Sequence, residues 1–429
     1  MTEAASSPNL QKAITLRHAV ALYVSSVLGS GVLVLPGLAA KIAGPSSLIA
    51  WIILSFASYP FAFTFGSLSA RKPESGGVYS FAKESFGIQV AGVSAWLFAL
   101  WFITGAPAAT LIAASYVSYA FPLSKVAIYL VAAAVIVSAF VINYRGIVFS
   151  NKIQLAVVIA IVALLLCAVI FSIGSVKSQN FSPFFPNGFL PIGTAAALIF
   201  WSYLGYENVS NVAEEFRDPQ RDFRRSIILS VVLIGVLYIA VAIVSIGTLA
   251  YEAGGSVAPF AAIFSNLLGS YGAAGTAVLA LFIIFGTANA YTAGMSRVVF
   301  AAARDGGFPK VLEHINSNTG VPDRSLAALS GLSVLMLFVY YFFDVDLATA
   351  LLIPSGAAIL IYIIGSAAGI KLLRGQKGGK IFPWISLLMS LAILPFVGTV
   401  ALAAIFAGIA GLIYSWFSQR ASAEATQES

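Results

Sequence analysis

The stretch YVSSVLGSGVLVLPG, Tyr23 to Gly37, decides how this chain folds. It opens as an apolar helix, sets Gly29, Ser30 and Gly31 in a row, and adds Pro36. Glycine weakens a helix interior, and proline removes a backbone donor. In hydrocarbon an unpaired backbone group is expensive, so non-helical backbone there must be buried in protein or line a polar cavity. The Gly-Ser-Gly unit is therefore a close-packing face or a deliberate break.

Composition places this stretch in a membrane. Of 429 residues, 60% are hydrophobic and 9% charged, and the mean hydropathy is +0.95. A soluble domain is about a quarter charged, so the chain reads as an all-α polytopic membrane protein. A crossing helix takes about 20 apolar residues. Twelve spans are expected, at 19–42, 46–70, 87–119, 126–142, 153–174, 191–213, 226–249, 270–303, 326–343, 347–370, 381–397 and 399–418. The third and eighth are long enough to tilt. A turn near Pro395 and Gly398 must divide the last two. The polar start, MTEAASSPNLQKAITLRH, and the long run after it do not read as a cleaved signal.

Charge gives an orientation. With an even number of spans, both termini lie on one side. Twenty of the 23 Lys and Arg fall on that side, leaving Lys41, Lys125 and Lys177 opposite. The positive-inside rule then makes both termini cytoplasmic, with the cell (inner) membrane as the expected location. The net charge of +7 is thus a topology signal with some attraction to anionic lipid, and no nucleic-acid partner is expected. Of the 16 acids, fifteen fall in tails, loops or span ends. The exception is Glu207. An intramembrane carboxylate is costly and by default functional. The competing reading is a protonated structural acid bonded to a neighbouring helix.

Glu207 lies in a second disturbed stretch, FWSYLGYENVSNVAEE, Phe200 to Glu215, where Gly205 stands among Trp201, Ser202, Tyr203 and Tyr206. The first and sixth spans open two successive sets of five, and five being odd gives the sets opposite topology. Paired broken helices at matching places point to an inverted-repeat transporter with its site at the breaks. A broken helix exposes N–H groups that attract an anion and carbonyls that attract a cation. A small zwitterion, such as an α-amino acid, fits both. The domain expectation is a tail at 1–18, repeats at 19–174 and 191–370, two peripheral spans at 381–418, and a tail at 419–429.

Four segments carry a family resemblance: GSGVLVLPG, PESGGVYSFAKESFG, FWSYLGYENVSNVAEEFRDPQRDFRRSI and FGTANAYTAGMSRVVFAAARDGGFP. Together they resemble the amino acid–polyamine–organocation (APC) superfamily over essentially the whole chain. The nearest likeness is to bacterial exporters of methionine and branched-chain amino acids. The resemblance implies a LeuT-type 5+5 inverted repeat with two added C-terminal helices. It implies that the Val27 carbonyl meets a substrate ammonium. Ser30 and the Gly31 N–H meet its carboxylate, with Gly29 allowing the bend. The Trp201 and Leu204 carbonyls complete the ammonium site, the Trp201 ring is a gate, and Tyr291 lines the side-chain pocket. For Trp201 and Tyr291, ordinary helix packing is the alternative. Glu207 matches a glutamate linked to proton sensing in arginine/agmatine antiporters. Many relatives carry a lysine in the fifth span where this chain has Ile161 or a neighbour, so that fixed charge is missing. No acidic sodium ligand appears in the first span either, which disfavours sodium coupling.

No HExxH, Walker or GxSxG pattern is present, so no enzyme, metal or cofactor is expected. Cys167 is alone, and His18 and His314 lie near a span start and in a loop. The charges from Glu214 to Arg225 read either as an ionic lock on the inward gate or as a solvated loop. Gly105, Ala106 and Ala109 leave room for an aliphatic side chain. The expected function is secondary transport of neutral hydrophobic amino acids (methionine, leucine, isoleucine, valine) by alternating access. Efflux is implied by the resemblance, with either proton coupling or exchange. The partners are substrate, protons and the lipid bilayer, for a monomer or homodimer. The alternatives are another organic amine or polyamine as substrate and, further off, an intramembrane enzyme. If Glu207 senses protons through its raised pKa, Glu207→Gln flattens the pH profile of transport while exchange persists. A wild-type pH response in that variant places the proton role elsewhere.

Overall fold

The computed structural model describes Leu16, Val20, Tyr23, Val24 and residues 27–71, 77–146, 151–206, 219–252 and 254–427. Among these residues there are helices and no strand. The α-helices are α1 (Leu35–Ala43), α2 (Ser47–Arg71), α3 (Val78–Phe86), α4 (Ile88–Ala120), α5 (Lys125–Tyr144), α6 (Asn151–Ser172) and α7 (Leu190–Ile199). They continue with α8 (Pro219–Gly247), α9 (Pro259–Leu268), α10 (Ser270–Arg304), α11 (Asp323–Phe342), α12 (Leu347–Leu372), α13 (Phe382–Ile393) and α14 (Ala401–Gln427).

Nine helical stretches among the described residues are long and apolar enough to cross a membrane. Two of them hold an internal turn. Leu35–Arg71 turns at Gly44, and Phe382–Arg420 turns at Gly398, with φ of 62° and 74°. Both angles lie in the left-handed region that favours glycine. Start signals are local. The Asp346 carboxylate accepts from the N–H groups of Ala348 and Thr349 at 3.0 and 3.1 Å, capping α12. Ser124 accepts from Ala127 N–H at 3.3 Å at the start of α5.

Two short helices occupy segments read from sequence as loops. α9 has ten residues and buries Phe260 to Ile263. α3 has nine residues, and it buries Val78, Tyr79, Phe81, Ala82 and Ser85 while Lys83 and Glu84 face outward. Neither is long enough to cross, and a window of about 20 residues passes over them. Long α4 is the hub of the helix packing, lying against α5, α10, α12 and α14, while α2 lies against α7 and α8.

The helical register fails at two places. Tyr23, Val24 and Val27 are helical, and Leu28 N–H still reaches the Val24 carbonyl at 2.9 Å. Gly29 is then extended, at φ −110° and ψ −161°. Ser30–Leu33 form a single 3-10 turn, Val34 leaves it, and α1 restarts with Pro36 in its first turn. The second failure follows α7. Phe200–Tyr203 tighten into a 3-10 turn, Leu204 is extended at φ −75° and ψ 149°, and Gly205 has φ 121°. Gly205 is the position where a positive φ requires glycine. Glu207 to Asp218, including the acids Glu214 and Glu215, lie outside the described residues.

Ion pairs tie α3 to its neighbours. Lys83 Nζ lies 2.7 Å from the Asp305 carboxylate at the end of α10, and Arg71 lies 2.7 Å from Glu84. Lys371 Nζ donates to the Ser85 carbonyl at 2.7 Å, and the Tyr79 hydroxyl donates to Asp305 at 3.2 Å. Burial, and then the Asp305 charge, push the Tyr79 phenol above its ordinary value, so it stays a donor across the physiological range. Each exposed pair is worth roughly 1 kcal/mol or less. Lys83→Glu should therefore lower thermal stability in detergent by about that amount. The exchanged pair Lys83→Asp with Asp305→Lys should recover most of it. No recovery in the exchanged pair means that the Lys83–Asp305 contact adds nothing to how α3 is held.

Candidate functional site

The two helix failures meet at one cavity, with about 610 Å³ of empty space including its mouth. Val27, Gly29, Ser30 and Gly31 line it from the first failure, and Trp201, Ser202 and Leu204 from the second. α4 contributes Trp101, Phe102, Gly105, Ala106 and Ala109, and α10 contributes Ile284, Thr287, Ala288 and Tyr291. The steps along α4 and α10 are of three and four residues, which puts each set on one helix face. The structure thus brings together all seven residues expected from sequence to touch a substrate. Glu207 is outside the described residues.

The wall carries dipoles but no charged side chain among the described lining residues. The N–H groups of Ser30 and Gly31 stand at the start of the 3-10 turn. They are the first donors of a helical turn, the groups that normally lack intrahelical partners. On the carbonyl side, Val27 already accepts from Gly29 N–H at 2.8 Å and from the Tyr238 hydroxyl at 3.2 Å. The same hydroxyl reaches the Ser202 carbonyl at 3.0 Å. Tyr238 on α8 thus bridges the two failures from behind the cavity wall. Its ring is held edge-on by Trp51 at 5.4 Å and Tyr203 at 5.3 Å. The Trp101 indole N–H is enclosed, without a hydrogen-bond partner among the described residues.

Trp201 is placed by two glycines. A Cβ on Gly31 would come within 2.6 Å of the Trp201 ring and 2.7 Å of Ser202 Oγ. A Cβ on Gly105 would come within 2.6 Å of the far edge of the same ring. The indole therefore lies across both, in a slot that exists because neither has a side chain. Its neighbour Trp101 is 5.8 Å away, and Trp101 meets Tyr291 edge-on at 5.3 Å. Gly29 is different. Its backbone is one that any residue adopts, and among the described residues a Cβ there meets nothing nearer than the Val27 oxygen at 4.0 Å. Glycine at 29 is not what makes the bend.

Trp101, Ser202 and Tyr238 were not singled out from sequence. A signal existed for two of them. Trp101 stands one turn before Gly105 and hence on the same face. Tyr238 is the lone aromatic in IILSVVLIGVLYIAVAIVSIG, Ile227 to Gly247.

Comparison with known proteins gives the chain a family. A family model described as amino acid permease matches residues 14–423. An uncharacterised amino acid permease of Bacillus subtilis, YecA, is 34% identical over 87% of this chain and 88% of its own length. The L-methionine/branched-chain amino acid exporter YjeH of Escherichia coli is 29% identical over 94% of this chain and 96% of its own. A methylthioribose transporter of Bacillus subtilis is 29% identical over 74% and 73%.

The two glycines of the first failure separate in a binding assay. Gly31→Val drives a branched side chain into Trp201 and should abolish leucine binding to the purified protein. Gly29→Ala should keep leucine affinity within about threefold of wild type, as ordinary unstrained substitutions do. Unchanged affinity in Gly31→Val would remove this turn from the site.

Proposed function

Because the chain belongs to the amino acid permease family of the APC superfamily, we propose that it carries neutral hydrophobic L-amino acids across the membrane by alternating access. The observation behind this reading is the cavity at the two helix failures. It offers the first N–H groups of a helical turn on one side, carbonyls on the other, and an apolar slot between α4 and α10. An α-carboxylate and an α-ammonium match the backbone groups. Methionine, leucine, isoleucine or valine match the slot, whose described walls hold no charged partner for a cationic side chain.

In this reading the chain is a LeuT-type carrier of twelve spans, with five-helix repeats at 19–174 and 191–370 and peripheral spans at 381–418. It sits in the inner membrane with cytoplasmic termini, as a monomer or homodimer. The Val27, Trp201 and Leu204 carbonyls hold the ammonium, Ser30 and the Gly31 N–H hold the carboxylate, and the Trp201 ring is the gate. Tyr291 bounds the side-chain pocket, and Glu207 couples transport to protons or sets its pH response. Transport is independent of sodium, and efflux is the direction that the YjeH likeness favours. A second reading, transport of another small organic solute, draws on the methylthioribose transporter among the relatives. Methionine, one of the solutes in the YjeH name, and methylthioribose each carry a methylthio group.

Purified protein in liposomes tests this. Vesicles loaded with unlabelled leucine should take up labelled leucine. Methionine, isoleucine and valine should compete, while agmatine, putrescine and methylthioribose should not. Empty vesicles with acid outside separate the couplings. Concentrative uptake that a protonophore collapses means proton coupling, and uptake confined to loaded vesicles means exchange. Competition by methylthioribose or amines alone overturns the amino acid reading.

A further inference from the structure

The middle of α10 has few side chains with which to hold its register. Gly286 to Ala290 reads GTANA. Thr287 and Ala288 line the cavity, with Ile284 and Tyr291 on the same face. The Thr287 hydroxyl donates to the Ile283 carbonyl of its own helix at 2.9 Å. Side chains that interlock with a neighbour normally set how a helix is turned about its axis. Glycine and alanine offer little to interlock. Asn289 is different. It is buried, and it meets a buried residue of α5, Asn143. Asn143 Nδ2 donates to Asn289 Oδ1 at 2.9 Å and to the Asn289 carbonyl at 3.3 Å. It also donates to the Ala139 carbonyl of its own helix at 2.8 Å. A buried amide that loses its partner is costly, so the two asparagines hold one alignment.

We propose that Asn143 and Asn289 are a positioning pair, whose hydrogen bond fixes the rotation of α10 and thereby which of its side chains bound the substrate slot. Neither lines the cavity itself. Side-chain tips stand about 5 Å from a helix axis, so a turn of about 40° moves each by about 3.5 Å, close to the breadth of a methyl group. Residues four apart on a helix are offset by about 40°. The same turn would therefore bring Thr292 to the angle that Ala288 now holds. In the opposite sense it would bring Ile283 to the angle of Thr287. Thr292 and Ile283 are both buried and outside the lining. The proposal rests on the amino acid reading for its ligand, while the rotation of α10 stands apart from that reading.

Asn143→Leu with Asn289→Leu removes both amides together and keeps nearly their shape, so neither is left unpaired. Asn289→Ala is the milder variant, because Asn143 keeps the carbonyls of Ala139 and of position 289. Cys167 is the single cysteine, so Cys167→Ser gives a background for labelling. In that background Ala288→Cys should react with N-ethylmaleimide and be protected by leucine. Ile283→Cys and Thr292→Cys should be inert. With either asparagine variant added, one of these two inert positions should become reactive. The leucine to valine affinity ratio of the asparagine variants should also change by about fivefold, since one methylene in an apolar pocket is worth roughly tenfold or more. Folded variants that keep the wild-type labelling and ratio overturn the proposal, and the packing of Gly286 on Val157 of α6 then sets the rotation. A changed pattern with an unchanged ratio overturns the link to the slot. Unfolding of both variants overturns the proposal too, and makes the pair a general prop of the fold. Wild-type protein that binds neither leucine nor valine overturns the amino acid reading, while the labelling still decides the rotation.

Discussion

A backbone that leaves the helix inside hydrocarbon must find partners for its freed carbonyls, and in this protein tyrosines supply them. Tyr116 on α4 donates to the Leu33 carbonyl at 2.6 Å, just before α1 restarts. Tyr238 on α8 donates between the Val27 and Ser202 carbonyls. Tyr340 on α11 reaches the Thr104 carbonyl at 3.1 Å, next to Gly105. Tyr116, Tyr238 and Tyr340 are 0% exposed. A phenol suits this task because its ring packs like a hydrophobe while its hydroxyl reaches a carbonyl. Two of these tyrosines join a neighbouring helix to a failure, and Tyr340 joins α11 to the slot face of α4. Remove these partners and the breaks would close into ordinary helix or let water in.

The same irregularity lets Trp201 lie flat. A continuous helix at Ser30–Leu33 would carry side chains past the indole at every turn. The observed path presents Gly31 to one edge of the ring and α4 presents Gly105 to the other. Two missing Cβ atoms on separate helices thus define where one aromatic ring sits. That ring in turn sets the cavity wall with Trp101. Dense packing makes such a slot intolerant of added carbon on either side.

Much of this was legible in the chain. Gly29 to Gly31 with Pro36, and Gly205 beside Trp201, marked both breaks, because these residues defeat helix for local reasons. Gly105, Ala106 and Ala109 marked the slot because helical spacing alone puts them on one face. What could not be read was anything that depends on a partner distant in sequence. Tyr116, Tyr238 and Trp101 look like ordinary aromatics in apolar helices until the carbonyls they face are known. Gly29 and Gly31 are indistinguishable on paper, yet a Cβ on the second would meet Trp201 and one on the first would meet no described atom nearer than the Val27 oxygen. The short helices α3 and α9 fall below the length that hydropathy detects.

The distribution of charge follows from the same medium. Ion pairs stand at the ends of the molecule, where Lys83 meets Asp305 and Lys125 meets Asp344 at 2.6 Å. The cavity wall between them offers only dipoles among the described residues. A fixed charge in a low-dielectric site would need a counter-charge whenever the site is empty. A carrier must turn over through that empty state if it is to move substrate one way. Backbone N–H and C=O groups meet a zwitterion's two charges and leave no net charge when it departs. A carboxylate near such a site breaks that balance unless it takes up a proton.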